Sequence, residues 1–101
     1  MITVIATIQL RPGNRDAYLA RLEQLVPQVL HEPGCLKYQP LVDTTCSIER
    51  LERNPDRVIL LEHWSSTAAL EDHLRTAHVK TYRQDVAEWV ESVSLQVLDA
   101  P

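Results

Sequence analysis

Apolar residues fall at every second position at the two ends of this chain and at every third or fourth position between them. Ile2, Val4, Ala6, Ile8 and Leu10 alternate with Thr3, Ile5, Thr7 and Gln9, the pattern of a strand over 2–10 with one apolar and one mixed face. Arg11-Pro12-Gly13-Asn14 breaks it with turn residues and places Asn14 to cap a helix. That helix spans 15–31, where Tyr18, Leu19, Leu22, Leu25, Val26, Val29 and Leu30 share one side; Pro27 should bend or tighten it, and Glu32-Pro33-Gly34 ends it.

Residues 35–42 read as a second short strand. The segment 43–56 is polar and carries a turn at Asn54-Pro55-Asp56, but Ile48 and Leu51 predict that part of it continues the strand as a hairpin. Val58-Ile59-Leu60-Leu61, apolar at both parities, predicts a strand over 57–64 buried on both faces. Ser65 or Ser66 should cap the next helix, which carries Ala69, Leu70, His73, Leu74 and Ala77. A second phase, Val79, Tyr82, Val86, Trp89, Val90 and Val93, extends it after a bend near Thr76. Residues 93–98 form the last strand, with Val93, Leu95 and Val97 on one face.

The order is β-α-β-β-α-β, an α+β fold of the ferredoxin-like kind, over 1–101 as one domain. Two helices cover one face of a four-stranded sheet, so a second apolar face predicts a homodimer. The segment 43–56 is longer than a tight turn needs and is expected to touch the partner subunit.

Charge and composition narrow the function. A net charge of -4, with ten Lys and Arg scattered along the chain, leaves no footprint for nucleic acid. Some RNA-binding modules share this topology, but they stack bases on exposed aromatics, and only Tyr38 and Trp64 are placed to do so. No stretch is long and apolar enough to span a bilayer, and the first ten residues alternate too strongly for a secretion leader. Cys35 and Cys46 match neither a disulfide framework nor a zinc pattern. These features predict a cytoplasmic protein with reduced thiols and no membrane partner.

The chemistry concentrates in 62–78, which holds three of the four histidines. His73 and His78 lie about 140° apart around a continuous helix, too far to share a metal ion unless the helix breaks between them; no metal site is expected. His73, between Leu70 and Leu74, should point toward the sheet, either as a hydrogen-bonded core residue or as a general base. His78 shares a face with Tyr82, one turn later. Glu62 and Trp64 lie on one strand face, and a carboxylate there needs an arginine from across a dimer interface or a pocket of its own. The chain has neither a glycine-rich phosphate loop nor a serine in a nucleophile elbow.

Three stretches together resemble the antibiotic biosynthesis monooxygenase domain family: Pro33-Gly34-Cys35-Leu36-Lys37-Tyr38, Glu62-His63-Trp64 running into Ser65-Ser66-Thr67-Ala68-Ala69-Leu70, and His73-Leu74-Arg75-Thr76-Ala77-His78. The resemblance implies a dimeric α/β barrel that oxidises a small phenolic or quinol-type substrate with O2 and uses no cofactor. It implies a site between sheet and helices with His73 and His78 at the family's recurrent helix histidines; the near-neutral pKa of imidazole makes His73 the expected catalytic base, with Trp64, Glu62, His78, Tyr82 and Tyr38 around the substrate. Ala77 replaces a common proline, and the segment 39–55 is longer than the usual hairpin. Haem-degrading relatives carry tryptophan where His73 stands, and Thr7-Ile8 offers no counterpart of their strand asparagine, so haem degradation is disfavoured. A non-catalytic small-molecule-binding or stress-response dimer and a proton-transfer isomerase are the alternatives.

Overall fold

The computed structural model describes residues 1–101. Its elements are β1 (Ile2–Leu10), α1 (Arg15–Leu30), β2 (Cys35–Leu41), β3 (Arg57–Trp64), α2 (Thr67–Leu74), α3 (Ala77–Val86) and β4 (Val90–Leu98). The strands form one antiparallel sheet in the order β2-β3-β1-β4, the ferredoxin-like arrangement with its second helix split in two.

Register explains where the core lies. Val97, Val4, Glu62 and Tyr38 stand side by side across the sheet, and Leu95, Ala6, Leu60 and Pro40 form the next row. The helices lie over these rows, with Tyr18, Leu22, Leu25 and Val29 of α1 and Val79, Tyr82 and Val86 of α3 buried against them. Each such aliphatic side chain contributes about 2 kcal/mol of burial. The cover stops short of β4, where Val93, Leu95 and Val97 remain about half exposed.

Three local expectations are corrected. Asn14 precedes α1, but its side chain does not cap it; Nδ2 donates back to the Arg11 carbonyl at 3.1 Å. The segment 42–56 contains no strand: β2 ends at Leu41, and Ile48 and Leu51 are exposed. Its base is closed by Asp43, which accepts from the Asn54 N–H at 2.6 Å and pairs with Arg57 at 3.0 Å. These bonds replace a strand ladder. Within this chain one face of β3 is buried, with Val58, Leu60, Glu62 and Trp64 enclosed, while Ile59, Leu61 and His63 on the face expected to meet a partner are half-buried.

The third correction concerns the end of the second helix, whose expected bend near Thr76 is a full break. Thr76 leaves helical geometry, and its Oγ1 donates to the His73 carbonyl at 2.9 Å while accepting from the Val79 N–H at 3.4 Å. A hydroxyl that satisfies both helix ends stabilises the break. After α3, Arg11 donates to the carbonyls of Glu88 at 2.9 Å and Val90 at 3.0 Å. It thus anchors the turn from which β4 starts at Val90, so Val90 and Val93 are strand residues. By contrast, α1 runs unbroken through Pro27.

Candidate active site

The site is assembled where the α1–β2 turn meets α2. Gly34 has φ +82°, and a Cβ there would lie 2.6 Å from both the Ala69 Cβ and the Ser65 Oγ. Glycine is required by backbone angle and by space. The Ser65 N–H donates to the Gly34 carbonyl at 2.8 Å, and Ser66 caps α2 by accepting from the Ala69 N–H at 3.1 Å. The turn is thereby pinned to the start of α2, with Glu32 aimed inward.

Glu32 receives both helix histidines. Its Oε2 lies 2.9 Å from Nδ1 of His73 and 2.7 Å from Nε2 of His78, and its Oε1 is 3.1 Å from the same His73 nitrogen. The break at Thr76 permits this convergence by turning α3 out of the line of α2. The two rings share a carboxylate, and no group of three His, Cys, Asp or Glu side chains is arranged to hold a metal ion. A carboxylate only accepts, so the proton of a neutral His73 sits on Nδ1 and Nε2 carries the lone pair.

His73 is 3% exposed. Its ring lies 4.6 Å from the Trp64 ring and meets Tyr38 edge-on at 5.6 Å, centroid to centroid. Burial holds its proton affinity below the ordinary imidazole value, the bond and charge of Glu32 pull it back up, and the charges of His78 and Arg83 lower it further. Burial wins, which keeps the ring neutral near neutral pH.

Beside His73 opens a cavity of about 280 Å³. Its floor is Val4, Ala6, Ile8 and Leu60; Leu70, His73 and Leu74 of α2 and Tyr82, Arg83 and Val86 of α3 form its walls, and Val93, Leu95 and Val97 bound it at the β4 edge. Glu62 enters it from β3. It is 4% exposed, and Trp64 Nε1–H donates to its Oε1 at 2.9 Å. Burial pushes its carboxyl up to about 7, with the indole bond opposing and the charge of Glu32 assisting.

Of the residues singled out from the sequence, His73, Glu62 and Tyr82 line the cavity. Trp64 is fully buried behind it, holding Glu62 and packing on His73. Tyr38 packs against His73 outside the lining, and His78 stands on the far side of Glu32. Glu62 has Trp64, not an arginine, as its partner within the chain.

Two site residues were missed in the sequence. Glu32 looked like a helix terminator, and Tyr18 looked like core. Tyr18 lines the cavity, and its hydroxyl is hydrogen-bonded to that of Tyr82. Burial raises both phenols, Tyr82 to about 12, so both stay protonated at neutral pH. Arg21 holds the Tyr82 ring from outside, 5.7 Å from its centroid, and is itself fixed by Asp85 at 3.0 Å.

Residues 1–85 match the antibiotic biosynthesis monooxygenase family. The chain is 40% identical over 100 residues to the Escherichia coli (strain K12) protein named "Probable quinol monooxygenase YgiN", covering 97% of this chain and 96% of that one. The crystal structure of PA3566 from Pseudomonas aeruginosa superposes with a TM-score of 0.83 at 28% identity, over 99% of this chain and 93% of that one. The structure of Rv0793 from Mycobacterium tuberculosis gives 0.81 at 27%, over 99% and 94%. With sequence and fold in agreement over nearly its whole length, the chain belongs to the antibiotic biosynthesis monooxygenase family.

Proposed function

We propose that the protein is a cofactor-independent monooxygenase acting on a small phenolic or quinol-type substrate, with His73 as general base. One observation carries this reading: a buried histidine on the wall of an apolar cavity, held at Nδ1 by Glu32 so that Nε2 is the free base. The name of the 40% identical relative supports the substrate class.

Such a substrate supplies its own electrons. Nε2 of His73 takes a hydroxyl proton, and the resulting anion gives one electron to O2. The substrate radical and superoxide combine as a peroxide on a ring carbon, with the proton returned from His73. Loss of water leaves a carbonyl on that carbon. One oxygen atom stays with the product and the other becomes water, so a naphthoquinol yields a hydroxynaphthoquinone without another reductant. Apolar walls protect the radical pair, Glu62 and Tyr82 touch the substrate, Trp64 and Tyr38 hold the imidazole, and His78 steadies Glu32. The working unit is taken to be a cytoplasmic homodimer closed over the half-exposed sheet face.

The test is oxygen uptake by chelator-treated protein, free of flavin and haem absorbance, with a reduced naphthoquinol. His73→Ala should lower kcat by roughly 10²- to 10⁴-fold. His31→Ala should do little, because His31 ends α1 in an exposed position and bonds only the Pro27 carbonyl at 2.6 Å. Full turnover by His73→Ala would reject His73 as the base. Solvent deuterium entering the ligand without oxygen uptake would instead identify an isomerase.

A further inference from the structure

Glu62 is the one carboxyl on the wall of an otherwise mostly aliphatic cavity. Its Oε1 accepts from the Trp64 indole, and its second oxygen has no hydrogen-bond partner within the chain. The polar groups around it are Tyr38 and Cys35 on β2, Glu32 at the α1–β2 turn, Tyr18 on α1, His73 on α2, and Tyr82 and Arg83 on α3, while β1 and β4 present only apolar side chains. Arg83 is the sole permanent cation among them, and it forms no ion pair with Glu62.

An ionised carboxylate in this setting would have one indole N–H as compensation, which is far too little for a buried charge. The neutral acid fits better, but it carries an O–H that needs an acceptor. No acceptor in the chain takes it. Tyr18 and Tyr82 are bonded to each other, His78 Nε2 is engaged by Glu32, and His73 Nε2, though free, forms no hydrogen bond with Glu62.

We propose that Glu62 is held as the neutral acid and donates its hydrogen to a carbonyl or phenolic oxygen of the aromatic ligand, with the Trp64 indole selecting which carboxyl oxygen is free to do so. The proposal rests on the oxygenase reading only for the class of ligand. It divides the site between a base, His73, and a hydrogen-bond donor, Glu62, as the contrasting surroundings of the two groups require. Burial and the nearby Glu32 keep the Glu62 proton in place up to about pH 7.

The probe is 2,3-dimethyl-1,4-naphthoquinone, an acceptor-only ligand whose blocked ring carbons resist addition by cysteine. Its binding is followed by calorimetry between pH 6 and 8.5. The wild-type affinity should fall toward tenfold per pH unit above about 7. Burial holds the proton loss of His73 below the ordinary imidazole value, and Glu62→Gln, which keeps His73, separates the two groups. Glu62→Gln, whose amide still donates to the ligand and accepts from Trp64, should bind at pH 6 within a few-fold of wild type and stay flat to pH 8.5. Glu62→Leu should bind roughly tenfold more weakly at pH 6, and 2,3-dimethylnaphthalene should show no pH dependence with any variant. A flat wild-type profile, the same decline in Glu62→Gln, or no wild-type binding of the quinone would overturn the proposal. Oxygen uptake is measured separately: binding that follows Glu62 without oxygen uptake keeps this inference and removes the oxygenase reading, and uptake with binding indifferent to Glu62 does the reverse.

Discussion

Glu32 gives the site its polarity, because a single carboxylate fixes the tautomer of His73 and ties His78 to the same point. Removing it should leave the base unoriented, so Glu32→Ala is expected to reduce kcat by roughly ten- to a hundredfold. The acid limb of the rate profile should also move to lower pH, since the bond and charge of Glu32 are what raise His73 against burial. A purely structural Glu32 would lower stability without moving that limb. Glu62 makes the opposite linkage. Its folded value of about 7 lies above the ordinary carboxyl value of 4.5, so the stability it confers is complete below pH 4.5 and is lost as pH rises through 7. Glu62→Gln lacks that loss and should be more stable than wild type at pH 8, by up to about 3 kcal/mol, and so have the higher Tm, with the gap closing near pH 4.5. Equal pH dependence of Tm in the two proteins would contradict a neutral Glu62.

At the scale of elements, the site depends on a turn and a helix break more than on regular structure. Gly34→Ala would force a Cβ into Ala69 and Ser65 at a left-handed angle, and should cost roughly 2–4 kcal/mol by strain and overpacking; urea denaturation reads this directly. Much of this layer was legible. The alternation in β1 and the three-and-four spacing in α1 each had one consistent reading, and the structure follows both. The 77–93 reading failed because Val86, Val90 and Val93 fit a helical step while Val93, Leu95 and Val97 also fit a strand. Periodicity alone does not decide between overlapping patterns, and the Arg11 bonds that fix the boundary come from nearly eighty residues away. Glu32 was hidden for the same reason: its partners lie 41 and 46 residues along the chain, and a glutamate before Pro-Gly looks like any helix end.

At the scale of the whole molecule, the chain carries more apolar surface than its own helices cover. Val93, Leu95 and Val97 border the cavity half exposed, Ile59 and Leu61 are half-buried on the other sheet face, and Ile48 projects from the 42–56 segment. Burying such surface in a second copy is the economical solution. Light scattering on a size-exclusion column should therefore report twice 11.5 kDa; a well-folded monomer at micromolar concentration would contradict the barrel. The central claim, an oxygenase that draws its electrons from the substrate and its base from His73, is tested most directly with 18O2. Mass spectrometry of the promptly quenched product from a reduced naphthoquinol should show one 18O atom per molecule with wild-type protein and a product yield lowered at least a hundredfold with His73→Ala. An unlabelled quinone accompanied by hydrogen peroxide, or labelling indifferent to His73, would contradict the account.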